Sequence, residues 1–155
     1  MSTKILPQEF YDNFAQTYDS TAKLKAEAQN ITEAIKIFHK YNLDESGSIL
    51  DIGCATGLLK DSLQGQFEYT GIDVSAQMLE HASSNRGYKT IHGLTEVVLP
   101  EIPDASYDFI FALSSLQFVE DIYPCLNHMY RIARQSILLS IDQLPDEFLS
   151  KSKIF

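Results

Sequence analysis

Residues 49–57 read Ile-Leu-Asp-Ile-Gly-Cys-Ala-Thr-Gly, and residues 69–73 read Tyr-Thr-Gly-Ile-Asp. The apolar start of the first stretch is typical of a buried parallel strand, and the small residues after it let the backbone of a turn approach a ligand closely. Asp73 follows Asp51 by 22 positions and ends a second apolar strand. In a doubly wound sheet, an acid at that position lies beside a ribose. The two stretches therefore predict a nucleotide-cofactor site.

The spacing of the small residues favours one cofactor class over another. A dinucleotide fingerprint is Gly-x-Gly-x-x-Gly, whereas the order here is Gly53-x-Ala55-x-Gly57 with Leu58 where the last glycine would stand. Asp51 at the entrance of the turn is poorly suited to a pyrophosphate. It is well suited to a cofactor that carries ammonium and sulfonium charges, so a dinucleotide is disfavoured.

This turn resembles motif I of the class I S-adenosylmethionine (SAM) methyltransferases, Asp/Glu-x-Gly-x-Gly-x-Gly, with Ala55 in place of the middle glycine. Asp73 matches the ribose-binding acid of that family. The resemblance implies SAM as the cofactor and S-adenosylhomocysteine as the product, with Asp51, Gly53 and Gly57 also at the cofactor site. The alternative is a strand-to-helix turn that binds no ligand.

Three further segments carry the resemblance. Residues 10–19, Phe-Tyr-Asp-Asn-Phe-Ala-Gln-Thr-Tyr-Asp, look like the entry segment of small-molecule methyltransferases, which implies Tyr11 and Tyr18 as lid residues over the cofactor. Residues 73–79 match Asp-x-Ser-x-x-Met-Leu, which implies Val74 and Met78 near the adenine and Ser75 as a helix cap. Residues 115–121 resemble a form found in methyltransferases that esterify small carboxylic acids.

The sequence departs from the family pattern at two places. Many members carry an acid for the adenine amino group after the third strand, but residues 92–95 read His-Gly-Leu-Thr. Adenine recognition is then expected to use backbone groups, Thr95 or packing by Leu94. Residues 131–136 lack the glycine turn that leads to strand six, so no complete hairpin of strands six and seven is expected before Phe155.

The pattern of apolar segments predicts one α/β domain over residues 1–155. It has an N-terminal helical lid or cap (1–45), a Rossmann-like core (46–141) and a C-terminal tail (142–155). The core is expected to be a doubly wound, mainly parallel sheet of order 3-2-1-4-5, with helices on both faces and the cofactor between strands 1 and 4. Strands are expected near 48–52, 68–72, 88–91, 107–112 and 136–141, and helices near 8–18, 23–41, 57–64, 76–84 and 121–133.

Composition restricts the partners. Twenty-one acids against twelve Lys plus Arg give a net charge of −9, which disfavours a nucleic-acid substrate. No apolar run approaches the roughly 20 residues that span a bilayer, and the N-terminus lacks a signal-peptide pattern, so a cytoplasmic protein without a membrane partner is expected. Cys54 and Cys125 have no metal-ligand spacing, and no metal is expected.

The chemistry of a SAM site needs orientation of donor and acceptor and exclusion of water more than it needs a nucleophile. A base helps when the acceptor is a hydroxyl or an amine and is unnecessary for a carboxylate. The candidate catalytic residues are Tyr11, Tyr18, His92 and Gln117. Leu113, Ser114 and Ser115, after strand four, are expected to line the site.

Three functions stay open on the sequence alone. The first is SAM-dependent methyl transfer to a small molecule, such as a carboxylate or a hydroxyl compound. The second is a catalytically silent module that binds SAM or S-adenosylhomocysteine. The third is the cofactor-binding part of a longer enzyme. Because strand five (136–141) is expected at the edge of the sheet, its open side invites pairing with the tail or with a second copy in a homodimer.

Overall fold

The computed structural model describes residues 7–42 and 45–141. Its five strands form one sheet of order β3-β2-β1-β4-β5 in which all neighbours are parallel, so the predicted fold class is confirmed. Within the described residues no strand follows the fifth, and the predicted tail, residues 142–155, lies outside them. The strands are β1 (Ser46–Ile52), β2 (Gln66–Asp73), β3 (Lys89–His92), β4 (Tyr107–Leu113) and β5 (Ala133–Ser140).

The helices alternate with the strands after an N-terminal pair, as predicted. The fourth helix is shorter than expected and continues as a π turn at His81–Asn85. A short helix after the third strand was not predicted from the sequence. The helices are α1 (Pro7–Tyr18), α2 (Ala22–Tyr41), α3 (Leu58–Ser62), α4 (Ala76–Glu80), α5 (Thr95–Val98) and α6 (Ile122–Ile132), with 3-10 turns at Leu99–Glu101 and Leu116–Phe118.

Helices cover both faces of the sheet, as the sequence predicts. Successive side chains of a strand point to opposite faces, so Ile49 of β1 packs with Phe38 of α2 while its neighbour Leu50 packs with Met129 of α6. All four side chains are at most 1% exposed. This burial on both faces explains why the central strands read as continuous apolar runs. No helix in the described part of the chain has the length and apolarity needed to cross a bilayer.

α2 is also attached to the sheet by a polar contact. The Asn30 side-chain amide donates to Ser114 Oγ at 2.7 Å and to Ser140 Oγ at 2.9 Å. These two serines lie at the carboxyl ends of β4 and β5. The helix is therefore fixed over the edge of the sheet where open α/β folds bind their ligands.

β5 occupies an edge of the sheet, which confirms the predicted position of strand five. It begins at Ala133, three residues before the predicted start, and Leu139 on it is 41% exposed. Pairing of this edge with a second copy stays a prediction.

Asp108 joins three strands at the opposite, amino-terminal edge of the sheet. Its Oδ2 accepts from the Ser48 backbone N at 2.8 Å and from Ser48 Oγ at 2.9 Å, and its Oδ1 accepts from Arg134 Nε at 2.7 Å. These bonds hold the pKa of the Asp108 carboxyl well below its usual range, and the bond from Arg134 has the largest effect. A lowered pKa means that the ionised form stabilises the folded state.

Replacement of Asp108 should therefore destabilise the fold in a pH-dependent manner. We expect Asp108→Asn to lower the free energy of unfolding by about 1–3 kcal/mol at neutral pH, because charge-assisted bonds are lost. The difference from the wild type should be constant above about pH 5 and shrink as the pH falls below about 4, where the unfolded carboxyl takes up its proton first.

Urea unfolding across this pH range measures the effect. Asp104→Asn is the matched control, since Asp104 pairs with Arg131 but is 77% exposed. It should change the free energy of unfolding by less than about 1 kcal/mol. An equal loss in both variants at neutral pH would contradict the assigned role of Asp108.

Candidate functional site

A cavity of about 290 Å³ opens at the carboxyl ends of the strands, beside the boundary between β1 and β4. This boundary is the switch point of the sheet, where chain connections leave in opposite directions. The cavity is lined by residues of α1, α2, the turn after β1, the ends of β2 and β4, and the segments after β3 and β4. The lining residues are Gln8, Tyr11, Tyr18, Glu27, Gly53, Ala55, Asp73, Val74, Leu94, Thr95, Glu96, Leu113, Ser114, Ser115, Phe118 and Val119.

The turn after β1 has the strained backbone that its small residues allow. Gly53, Ala55 and Gly57 have φ angles of 73°, 47° and 87°, in the left-handed region that favours glycine. A Cβ added at Gly53 would lie 2.3 Å from the Cβ of Ser115. The segment after β4 therefore fills the space beside Gly53.

Asp73 holds this turn in place from the end of β2. Its Oδ2 accepts from the backbone N of Ala55 at 2.9 Å, and its Oδ1 accepts from the backbone N of Ser75 at 2.8 Å. Burial raises the pKa of Asp73, against the effect of these bonds. A carboxylate offers about four acceptor positions, so the two backbone bonds leave capacity for two hydroxyl donors from a ligand in the cavity.

Asp51 lies in a smaller cavity that adjoins the first through Gly53 and Ala55. Its side chain is 4% exposed and accepts a hydrogen bond from the Tyr69 hydroxyl at 2.6 Å. Burial raises the pKa of Asp51 to about 7. A cationic group placed in this small cavity would stabilise the ionised form of the acid.

α1 is anchored over the site by two aspartates. Asp12 accepts from Ser75 Oγ, and Asp19 accepts from Thr56 Oγ1, each at 2.6 Å. Asp12 lies within α1, and Asp19 directly follows Tyr18, the last residue of the helix. Sequence reasoning singled out the neighbouring tyrosines and missed these anchors, although the repeated Tyr-Asp pair was the available signal.

Two tyrosines of α1 reach the cavity. The Tyr11 ring lies edge to face with Phe118, with 5.9 Å between ring centroids. The Tyr18 hydroxyl donates to Glu27, and burial is the first cause that raises the pKa of this tyrosine. The aromatic rings connect α1 to the segment after β4 and cover the cavity between them.

The predicted site residues divide into two groups. Most of them line the main cavity, and Asp51 lines the smaller one. The residues that line neither cavity are Gly57, whose added Cβ would lie 2.8 Å from the Tyr88 ring; Met78, which is fully buried beneath α1; His92, whose Nε2 lies 3.0 Å from the Val74 carbonyl; and Gln117, whose side-chain amide donates to the Ser114 carbonyl. Ser75 caps α4 by accepting from the backbone N of Met78, as predicted.

Five lining residues were missed by sequence reasoning. Glu27 had a signal, because it occupies the same face of α2 as Ile31, Ala34 and Phe38, and an acid on an apolar face is unusual. The others were not singled out, although two of them lie within residues 115–121, because only the folded chain brings α1, α5 and the segment after β4 together. They are Gln8, Glu96, Phe118 and Val119.

The profile of a protein family described as a methyltransferase domain matches residues 50–140. The chain belongs to this methyltransferase family. The matched residues run from β1 to the end of β5 and include the glycine turn, Asp73 and the segment after β4. The resemblance to SAM-dependent methyltransferases that the sequence predicts is thus confirmed as family membership.

Curated relatives agree with this family. Malonyl-[acyl-carrier protein] O-methyltransferase 1 of Ilyobacter polytropus is 27% identical over 122 residues, which cover 76% of this chain and 44% of that enzyme. Trans-aconitate 2-methyltransferase of an Enterobacter species is 28% identical over 133 residues, which cover 77% of this chain and 47% of that enzyme. The chain thus spans less than half the length of these two relatives.

Solved structures share the fold. A putative SAM-dependent methyltransferase from Methanococcus maripaludis superposes with a TM-score of 0.68 at 23% identity, over 97% of this chain and 73% of that one. A putative methyltransferase of Haloferax volcanii, solved with its Trm112 activator, gives a TM-score of 0.74 at 15% identity, over 91% and 64% of the two chains. Within residues 7–42 and 45–141 no group of three or more His, Cys, Asp or Glu is placed to hold a metal.

The close approach of Gly53 and Ser115 predicts the result of a substitution. We expect Gly53→Ala to lower the free energy of unfolding by more than about 2 kcal/mol, because the methyl group adds a clash to the cost of about 1–2 kcal/mol for a left-handed backbone. Addition of Ser115→Gly should restore part of this loss, as measured by urea unfolding.

Gly87→Ala is the matched control for the backbone cost alone. Gly87 has a φ of 69°, close to that of Gly53, but no atom lies within 4 Å of its added Cβ. It should therefore destabilise less than Gly53→Ala. Equal effects of the two single substitutions would show that Ser115 does not limit the space at Gly53.

Proposed function

We propose that this protein transfers a methyl group from SAM to a small-molecule acceptor in the cavity between β1 and β4. The observation that carries the proposal is the position of Asp73. Its carboxylate faces the cavity, is held by two backbone amides and keeps acceptor capacity for two hydroxyl groups, which a ribose supplies. Membership in the methyltransferase family supports SAM as the molecule that brings this ribose.

The residues around Asp73 suit the rest of the cofactor. Val74 and Leu94 offer apolar side chains to an adenine ring, and Thr95 offers a hydroxyl group. Asp51 lines the adjoining small cavity, where a carboxylate suits the ammonium and sulfonium charges of SAM. The positive φ angles of the turn let its backbone lie against the ligand. These side chains support a site for the family's cofactor in this cavity.

When bound, SAM supplies an activated methyl group on a positively charged sulfur. The chain then has three tasks, which are to bind the cofactor, to orient the acceptor in line with the methyl–sulfur bond and to exclude water. Tyr11 and Phe118 serve the last task, because their rings close the cavity between α1 and the segment after β4. Ser114 and Ser115, which follow β4, also line the cavity, and their hydroxyl groups bond to Asn30 and to the Ile52 carbonyl.

A second function is favoured by the length of the match. The matched residues cover 44% and 47% of the two curated relatives, so a domain that binds only the cofactor is the second candidate. In that case it binds SAM and S-adenosylhomocysteine without turnover of small acceptors. Both functions predict cofactor binding, and only the first predicts S-adenosylhomocysteine formation from SAM when an acceptor is added.

The role of Asp73 gives the first test. We expect Asp73→Ala to weaken the binding of S-adenosylhomocysteine by at least about tenfold, because bonds from hydroxyls to a charged acceptor contribute about 1.5–3 kcal/mol each. Calorimetric titration measures the affinity, and circular dichroism checks the fold. Asp104→Ala, which removes an exposed acid remote from the cavity, should leave the affinity unchanged. Wild-type affinity in a folded Asp73→Ala variant would exclude Asp73 from the site.

The predicted lid gives the second test. Asp12 and Asp19 attach this segment to the core by accepting hydrogen bonds from the hydroxyl groups of Ser75 and Thr56. The Tyr11 ring of α1 covers the cavity together with Phe118. We expect amide exchange through residues 10–19 to slow when S-adenosylhomocysteine is added, because the ligand fills the space beneath the helix. Mass-spectrometric exchange measures this, with α6 as the internal reference. Equal protection of α1 with and without ligand would contradict a lid function.

A further inference from the structure

The charged side chains that the structure places along the cavity are all acids. Among the residues that line the main and the adjoining cavity in the described part of the chain, the formally charged side chains are Glu27, Asp51, Asp73 and Glu96. No Lys, Arg or His is among these lining residues. The three arginines form ion pairs outside these cavities. Arg86 pairs with Asp19 and Asp61, Arg131 pairs with Asp104, and Arg134 pairs with Asp108.

An anionic acceptor fits such a cavity poorly. A carboxylate that leaves water needs a cation or several hydrogen-bond donors in return, and a like charge nearby adds a further cost. SAM carries two positive charges and one negative charge, so it offsets only part of the four acids. The names of the two curated relatives refer to acceptors that carry carboxyl groups, malonyl-[acyl-carrier protein] and trans-aconitate.

Aromatic rings accompany the acids. Tyr11 and Phe118 meet edge to face, and the Tyr18 ring lies beside Glu27, whose carboxylate accepts the Tyr18 hydroxyl bond. All four side chains line the main cavity. The faces of aromatic rings attract cations, and a nearby carboxylate adds a direct charge interaction. Rings and acids together are the usual means of binding an ammonium group.

We propose that the methyl acceptor of this protein is a small amine with an apolar body, which binds through Glu27 and the rings of Tyr11, Tyr18 and Phe118. The proposal rests on the proposed methyl transfer and specifies its substrate class. The apolar body is expected to lie against Leu113 and Val119, the apolar side chains that β4 and its following segment contribute to the cavity.

The transfer balances without a further reactant. The bound ammonium first releases a proton to solvent, which leaves a neutral amine nitrogen. The nitrogen then attacks the methyl carbon of SAM, a nitrogen–carbon bond forms, and the methyl–sulfur bond breaks with its electron pair on the sulfur. The products are a methylated ammonium and S-adenosylhomocysteine. Because the neutral nitrogen reacts, kcat should rise with pH towards the pKa of the bound amine, whereas a carboxylate acceptor would give a flat profile above about pH 5.

The first experiment compares acceptors that share one body. 3-Phenylpropylamine, 3-phenylpropanol and 3-phenylpropionate are titrated by calorimetry into the full chain saturated with S-adenosylhomocysteine. A second series on a butyl body is run in parallel for a smaller fit. The amine should bind at least about tenfold more tightly than the matched carboxylate, with the alcohol between them, and added salt should reduce the difference. The proposal would be overturned if, in both series, the amine binds no more tightly than the matched carboxylate. A result in which neither compound binds counts as the same outcome.

The second experiment assigns the ammonium to its partner. Glu27→Gln keeps an acceptor for the Tyr18 hydroxyl but removes the charge, so it should weaken amine binding about tenfold and leave alcohol binding within about twofold. Glu33→Gln is the control, since Glu33 lies on the same helix but is 59% exposed and pairs with Lys36. A Glu27→Gln variant that loses affinity for S-adenosylhomocysteine and not for the amine would overturn the assignment.

Failure of the proposed methyl transfer and failure of the amine proposal give different results. If the wild-type chain does not bind S-adenosylhomocysteine, the proposed function fails before any acceptor is tested. If it binds S-adenosylhomocysteine but prefers the carboxylate, only the amine proposal fails. SAM turnover, followed as S-adenosylhomocysteine formed with each acceptor, separates the enzyme from the silent module.

Discussion

The carboxylate of Asp73 is the contact on which the site depends. It fixes the turn after β1 through the amide of Ala55 and fixes the start of α4 through the amide of Ser75. Ser75 in turn caps α4 and donates to Asp12, so the position of α1 follows from the same acid. A buried carboxylate without such donors would be strongly destabilising. One side chain thus connects β2, the turn, α4 and α1 around the cavity.

Much of the fold follows from local sequence. Apolar runs bounded by glycine turns are sufficient to locate parallel strands, and the right-handed crossover rule restricts their order. The early start of β5 was not predictable in this way, because residues 133–135 are Ala, Arg and Gln. Arg134 joins the strand through its bond to Asp108, which is distant in sequence. α5 was missed because four residues are too short to show helical periodicity.

The sequence predicts those lining residues of the cavity that belong to family motifs. It does not predict the lining residues that only the tertiary structure brings to the cavity. Gly53, Ala55 and Asp73 lie in recognisable motifs, and all three line the cavity. The same motifs include residues that serve packing, such as Met78 beneath α1. Glu27 belongs to a helix without a functional motif, yet it is among the four acids that determine the electrostatic potential of the cavity. A motif identifies the cofactor more readily than the acceptor, since acceptor-binding residues come from variable segments.

The contacts of Asn30 have a consequence for synthesis of the chain. They join α2 to Ser114 and Ser140, which are 84 and 110 positions further along. During translation the apolar face of α2, with Ile31 and Phe38, emerges long before the strands that cover it. The nascent chain must therefore keep this helix from aggregating until β5 has left the ribosome.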